Sequence, residues 1–354
     1  MNYQEYFLPY ANQINQYLDR FFLSKSKEAK SIIPLASDAW DKINDFIAGG
    51  KRIRGGLVKL GWECFKEANN QLLLPISAAI ELTHGAALIH DDVIDQSSSR
   101  HGKPTIHEQY KTHHQKNYKK GESIHYGRCM AITSGIIGYY EAICLINKSM
   151  FSDEIKIKIL NQLASFMVNT GYGEALDVDL SYHSQIKENE ILKIYHYKTA
   201  YYTLIGPLKI GAILTGMEEK ELKKFDDFGA PTGIAFQIQD DILGIFGSEK
   251  ELGKPISDDI KEGKNTLLYT QALKRATHKQ AKELEDLWGK KNITLKQVEK
   301  VRQIITDSGS LEFCQKKAQS LIKRGKKEIE KLTSKKEIQE VFSNLADYII
   351  TRKF

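Results

Sequence analysis

Apolar residues recur three and four positions apart along almost the whole chain, and only seven prolines interrupt them. Because 3.6 residues complete a helical turn, that spacing lays one apolar stripe along each segment. Leucine, isoleucine, alanine, lysine and glutamate recur at this spacing, while alternating strand patterns and Asn-Gly hairpin signals are nearly absent. The pattern predicts an all-α protein. Helices are expected over residues 4–24, 36–47, 53–68, 72–96, 126–147, 153–182, 190–216, 219–247, 266–288, 295–306, 310–332 and 335–351. Gly49-Gly50 suits a left-handed stop after the second, and Gly206-Pro207 suggests a break or kink. Residues 97–125 have little apolar periodicity and read as a long surface loop or loop pair, and 247–265 as a further loop rich in glycine and charge.

No internal repeat and no Pro/Gly/Ser linker divides the 354 residues, so a single domain over 1–354 is expected. With 41% hydrophobic and 27% charged residues, the chain belongs with globular proteins. Its net charge of +6 is scattered and carries no nucleic-acid module, so no nucleic-acid partner is expected. Cys64, Cys129, Cys144 and Cys314 have neither zinc-ligand nor redox-motif spacing and read as buried, reduced thiols of a cytoplasmic protein. No signal peptide and no transmembrane segment is expected.

The segment His84-Gly-Ala-Ala-Leu-Ile-His-Asp91-Asp92-Val-Ile-Asp95 carries acids out of an apolar helix. Asp91 and Asp95 are one turn apart and share a face, with Asp92 beside them. Crowded like charges repel, and a divalent cation would neutralise them; magnesium prefers such oxygen ligands. Taken alone, the motif is better explained by a solvated acidic helix end. The lysine-flanked pair Asp226-Asp227 reads as ordinary surface. A second stretch, Phe236-Gln237-Ile-Gln-Asp240-Asp241-Ile-Leu-Gly244, repeats the design, and metal sites in helix bundles are built from side chains on facing helices.

Cations interleave with these acids. Gly49-Gly50-Lys51-Arg52-Ile-Arg54 places three after a glycine break, Arg100-His101 follows the first acid cluster, and Lys198-Thr199 interrupts an apolar, aromatic helix. Lys254 and Lys264 follow the second cluster. Each alone could be a solvated side chain. Together, acids for metals and cations for phosphates fit an enzyme of diphosphates.

From Gly49 to Lys264 these motifs stand in the order of the trans-prenyl diphosphate synthase (polyprenyl synthetase) family, and the chain resembles it, with geranylgeranyl diphosphate synthases the nearest type. The resemblance implies a single-domain antiparallel helix bundle around a central cavity, the isoprenoid synthase type. It implies a prenyltransferase of isoprenoid biosynthesis that joins isopentenyl diphosphate to dimethylallyl, geranyl or farnesyl diphosphate. Lys51, Arg54 and His84 would bind isopentenyl diphosphate. Arg100, His101, Lys254 and Lys264 would bind diphosphate, and Lys198, Thr199 and Gln237 would stand near the reacting carbons. Asp91, Asp95 and Asp240 would hold magnesium, three ions in number, with manganese as the alternative metal, supported by Asp92 and Asp241. Ala86 and Ala87, in place of aromatic residues, would leave room for a geranylgeranyl or longer product, unless Tyr139, Tyr140, Phe166 or Met167 floors the tunnel. The family also implies a homodimer.

The chain departs from the family pattern at several places. His101 stands for arginine, Glu174 for the glutamine of a Gly-Gln-x-x-Asp stretch ending here in Asp177, and Gly244 for a third aspartate. Thr133-Ser134-Gly135 stands where many members have Ala-Gly-Asp. A class I terpene cyclase shares the acid motif but needs no Lys51–Arg54–His84 set. A catalytically silent subunit would be expected to lose an acid cluster. A metal site of His107, His113, His114 and His125 is less favoured, since those residues read as solvated.

Overall fold

The apolar stripes become helices in the computed structural model, which describes residues 3–100, 102–183, 186–247 and 258–351. In chain order these are α1 (Tyr3–Lys30), α2 (Pro34–Ile47), α3 (Ile53–Glu63), α4 (Asn70–Ile94), the two-residue strands β1 (Ser99–Arg100) and β2 (Lys103–Pro104), α5 (Ile106–Asn117), α6 (Ser123–Asn147), α7 (Asp153–Leu180), α8 (Glu188–Ile194), a π-helical stretch (Tyr195–Ile205), α9 (Gly206–Ile213), and α10 (Lys223–Phe246). The rest are α11 (Asp258–Glu262), α12 (Leu267–Arg275), α13 (His278–Leu287), α14 (Leu295–Asp307), α15 (Ser310–Lys326), α16 (Ile329–Leu332) and α17 (Lys336–Thr351). The fold is all-α, as the periodicity predicts. His101 and Lys254 lie outside the described residues.

The chain forms two compact units. One holds the residues up to Asn161 together with Ile210–Gly216; the other holds Gln162–Lys209 and the chain from Met217 onward. In the first unit α4 is the core helix, packed on α1, α3 and α6. Its residues Leu73, Ile76, Ile80, Ala86 and Ile89 are buried, as are Phe7, Tyr10, Ile14 and Leu18 of α1. In the second unit α10 packs on the π-helical stretch, α15 and α17.

The stretch 97–125 is not a loop. Ser99 pairs with Pro104 and Arg100 with Lys103 across an antiparallel turn, and α5 follows. The buried positions of α5 are Ile106, His107, Tyr110 and His114. Their spacing is helical, but a tyrosine and two histidines carry most of it, so the segment reads as polar. His107 and His114 are buried rather than solvated: Thr105 Oγ1 lies 3.2 Å from His107 Nδ1, and His114 Nε2 lies 3.0 Å from the Lys120 carbonyl oxygen. Residues 266–288 split in two, because Thr277 and Gln280 form a capping box that starts α13.

Cys129 and Cys144 are exposed, whereas Cys64 and Cys314 are buried, and all four are free thiols. Two helices, α4 and α6, are long and apolar enough to cross a membrane by length and composition alone. In α4, 67% of the apolar window is buried inside the protein; in α6, 39% is.

Candidate active site

The last turns of α4 bring Asp91, Asp92 and Asp95 to the end of a buried helix. Gln96, at φ +55°, turns the chain back, and β1 returns Arg100 onto the acids. Arg100 Nε donates to Asp92 Oδ1 at 2.8 Å, and Nη2 lies 3.0 Å from Asp91 Oδ2. Asp92 is 1% exposed, and its Oδ2 is buried with no hydrogen-bond partner among the described residues. Burial pushes this carboxyl up to about 6, against the pull of Arg100. Just before the acids, the His90 ring fills the space that a side chain at Gly135 of α6 would take. Its Nε2 lies 3.0 Å from the Ile132 carbonyl oxygen, which ties the end of α4 to α6.

The three cations after Gly49-Gly50 divide into two roles. Arg52 is buried, with φ +49°, at the start of α3. It donates to the Ile47 carbonyl at 2.6 Å and Asn15 Oδ1 at 2.7 Å, and lies 3.8 Å from Glu81 Oε2. Glu81 also accepts the Gly55 N–H at 2.7 Å. A left-handed arginine costs about 1–2 kcal/mol, which these buried contacts offset. Arg52 therefore holds the turn, while exposed Lys51 and half-buried Arg54 flank it. Half-buried His84 stands on α4, two turns before Asp91, and α3 packs on α4.

In the second unit α7, the π-helical stretch and α10 carry the remaining groups. A Cβ on Gly173 would run into the Lys198 backbone, and one on Gly233 into Ala200, so glycines let the elements close on the widened helix. Lys198 Nζ lies 2.8 Å from Asp177 Oδ2 and 2.8 Å from Glu174 Oε2. Thr199 Oγ1 donates to Gln237 Oε1 at 2.6 Å, and Gln237 Nε2 donates to Asp241 Oδ1 at 2.8 Å. The other Asp241 oxygen accepts from the Tyr195 hydroxyl. Burial pushes the Asp241 carboxyl up to about 8. Lys264 Nζ lies 3.0 Å from Glu262 Oε2, and its carbonyl accepts the Trp288 indole N–H at 3.0 Å.

Four likenesses bear on this arrangement. A sequence model of the polyprenyl synthetase family matches residues 39–306. The short chain isoprenyl diphosphate synthase of Methanocaldococcus jannaschii is 33% identical over 264 residues, 74% of each chain. The geranylgeranyl diphosphate synthase of Sulfolobus acidocaldarius is 30% identical over 311 residues, 87% of this chain and 88% of the other. Among solved structures, geranylgeranyl pyrophosphate synthase from Corynebacterium glutamicum, complexed with isoprenyl diphosphate and magnesium, superposes with a TM-score of 0.91. It is 27% identical, with 97% of this chain and 99% of that one covered.

The chain belongs to the polyprenyl synthetase family. It is a trans-prenyltransferase with the all-α isoprenoid synthase fold.

For a polyprenyl synthetase, the acids fit magnesium. The side chains at the end of α4 offer carboxylate oxygens, two of them one turn apart, and a buried Asp92 oxygen beside them has no hydrogen-bond partner among the described residues. The place of the missing third aspartate is also filled: a Cβ on Gly244 would overlap Asp259 Oδ2, whose residue belongs to α11. Asp259 and Tyr195 escaped the sequence reading. Asp259 lies in an apparent loop and Tyr195 in an aromatic run, and neither spacing marks a partner of the second acid motif.

The chain-length positions separate. Ala86 is fully buried in the seam with α6, where a Cβ on Gly138 would lie 3.0 Å from its own. Ala87 is half-buried. Of the possible floor residues, Tyr139 packs on His90 at 5.4 Å between ring centroids, Tyr140 is 66% exposed, and Phe166 is buried against Tyr202.

Proposed function

We propose that this trans-prenyltransferase condenses isopentenyl diphosphate with an allylic diphosphate to give geranylgeranyl diphosphate or a longer chain, within one catalytic domain. The carrying observation lies in the first unit. Lys51 just before α3 and Arg54 on it, with His84 and Asp91 on α4 and Asp95 at its C-cap, are carried by two helices packed together. A terpene cyclase needs the acids but not the cations. The family match, running through residues of both units, supports the single domain.

Asp91, Asp95 and Asp240 would hold magnesium, three ions in this reading, with Asp92 and Asp241 supporting them. Magnesium, when bound, supplies the positive charge that makes diphosphate a leaving group. Arg100, Lys198 and Lys254 would add charge where it develops on the departing oxygens. His101 and Lys264 would bind diphosphate further out. Lys51, Arg54 and His84 would hold isopentenyl diphosphate so that its double bond meets the allylic carbon. The Lys198 carbonyl and the Thr199 oxygen would face the electron-poor carbon, assisted by Gln237. The released diphosphate would take the proton.

The exposed apolar face of α6 supports the homodimer that the family implies. Ile132, Ile136 and Tyr140 follow one another at spacings of four, 43%, 46% and 66% exposed. A second copy would cover this face, and Ile136→Lys should then yield a monomer by light scattering. Free thiols fit a cytoplasmic location.

The test of the reaction is incubation with magnesium, labelled isopentenyl diphosphate and, separately, dimethylallyl, geranyl or farnesyl diphosphate. Label in a twenty-carbon or longer product, abolished by a chelator, is expected. No incorporation by folded protein would sink the proposal.

A further inference from the structure

We infer that Tyr195 is a positioning residue for the condensation: from between the Leu267 amide and Asp241, it aligns the chain Asp241–Gln237–Thr199, so that the Thr199 oxygen faces the reacting carbons as an acceptor only. The inference rests on the reaction proposed above.

Tyr195 opens the π-helical stretch, three residues before Lys198, and is 4% exposed. Its oxygen accepts the Leu267 N–H at 2.8 Å. Leu267 is the first residue of α12, and the first amides of a helix have no partner within it. With its oxygen so held and Asp241 ionised, the Tyr195 hydroxyl directs its proton to Asp241 Oδ2. The rotation of the Asp241 carboxyl, otherwise a soft torsion, is thereby set.

The order then passes along the chain. Asp241 Oδ1 accepts from Gln237 Nε2. An amide has a donor end and an acceptor end, so committing its nitrogen to Asp241 turns its oxygen to Thr199. Thr199 has one hydroxyl proton and gives it to Gln237 Oε1 at 2.6 Å. What remains on Thr199 is lone pairs. An oxygen in that state stabilises positive charge and offers no proton to a passing diphosphate. In the ionised state of Asp241 each link has one direction, and Tyr195 is the link that anchors the chain to a backbone amide. It touches no reacting atom, so its effect must run through Asp241.

The test is Tyr195→Phe, which deletes one oxygen, assayed for kcat and both KM values well below its melting temperature. We expect kcat to fall about tenfold with the KM for isopentenyl diphosphate unchanged, as for a reacting geometry loosened through a partner. In a Thr199→Val background, which already lacks the hydroxyl, Tyr195→Phe should cost no further kcat. An unchanged kcat, or a loss that adds in full to that of Thr199→Val, would overturn the inference. Should Tyr195→Phe fail to fold, 3,5-difluorotyrosine at position 195 keeps the hydroxyl and makes it more acidic, at the cost of two small fluorines on the ring. A kcat altered threefold or more then supports the alignment, and an unaltered one overturns it. Wild-type protein that incorporates no label would instead sink the reaction itself, so the two failures are distinct.

Discussion

Gly244 lies so close to Asp259 that a Cβ at position 244 would overlap the Asp259 carboxylate. The second acid motif therefore lacks its third aspartate where another carboxylate already fills the space. Asp259 is 7% exposed and cannot swing into water without unpacking α11. Gly244→Asp should thus destabilise the fold by about 1–3 kcal/mol through overpacking alone, with like-charge repulsion added. Thermal denaturation checks this, and the double change Gly244→Asp with Asp259→Gly should recover most of the loss. A melting temperature unaffected by Gly244→Asp would show that the two positions do not compete.

Glu174, beside Lys198, is the second point where this chain departs from the family pattern. One ammonium is shared by two carboxylates, Glu174 and Asp177, both at 2.8 Å. In the proposed reaction an allylic diphosphate must compete with them for the same charge. Glu174→Gln removes one competitor and keeps the shape. The groups are partly exposed, which limits such a pair to about 1 kcal/mol, so the KM for farnesyl diphosphate should fall roughly threefold to fivefold. The KM for isopentenyl diphosphate should not move. A KM for farnesyl diphosphate that stays level or rises would contradict the competition.

The buried acids also set a pH dependence of stability. Burial holds the folded Asp241 carboxyl near about 8, whereas an unfolded aspartate titrates near about 4. Below the lower value both states are protonated, and Asp241 costs the fold nothing. As pH rises, the unfolded chain gives up its proton while the folded one keeps it, so stability falls until the folded value is passed. Asp92, at about 6, adds a smaller decline of the same sign. In the presence of a chelator, the melting temperature of the wild type should drop between about pH 5 and about pH 8. Asp241→Asn, neutral throughout, should flatten much of that drop. Parallel curves for the two proteins would place the titration on other groups.

Much of this was legible in the sequence because helices and acid motifs announce themselves by spacing. The stripes of α1, α4 and α10 and the turn-spaced Asp91 and Asp95 needed no tertiary information. What escaped depends on partners far apart in the chain. His107 and His114 look like loop residues until their burial on α5 is seen. Arg52 looks like its neighbours Lys51 and Arg54 until Glu81 and Asn15 claim it. The π-helical stretch has no periodicity of its own; it lies where Gly173 and Gly233 let α7 and α10 close on it. Tyr195 meets Asp241 across 46 positions, a pairing no local pattern encodes.

The two alanines before the first acid motif should behave differently when enlarged. Ala86 has no exposed surface and faces Gly138 of α6 with no room for a larger side chain. Ala86→Phe would have to force α4 and α6 apart, at a cost of about 1–3 kcal/mol or more. Its main effect should be a lowered melting temperature, with the product of the surviving protein little changed. Ala87, one position on and so about 100° further round the helix, is half-buried. If the growing prenyl chain runs along α4, Ala87→Phe should block it and shorten the product toward fifteen carbons, with the fold intact. Chromatography of the labelled products from both variants separates these outcomes. A shortened product from a stable Ala86→Phe protein, with Ala87→Phe unchanged, would move the tunnel wall to the α6 side of the helix.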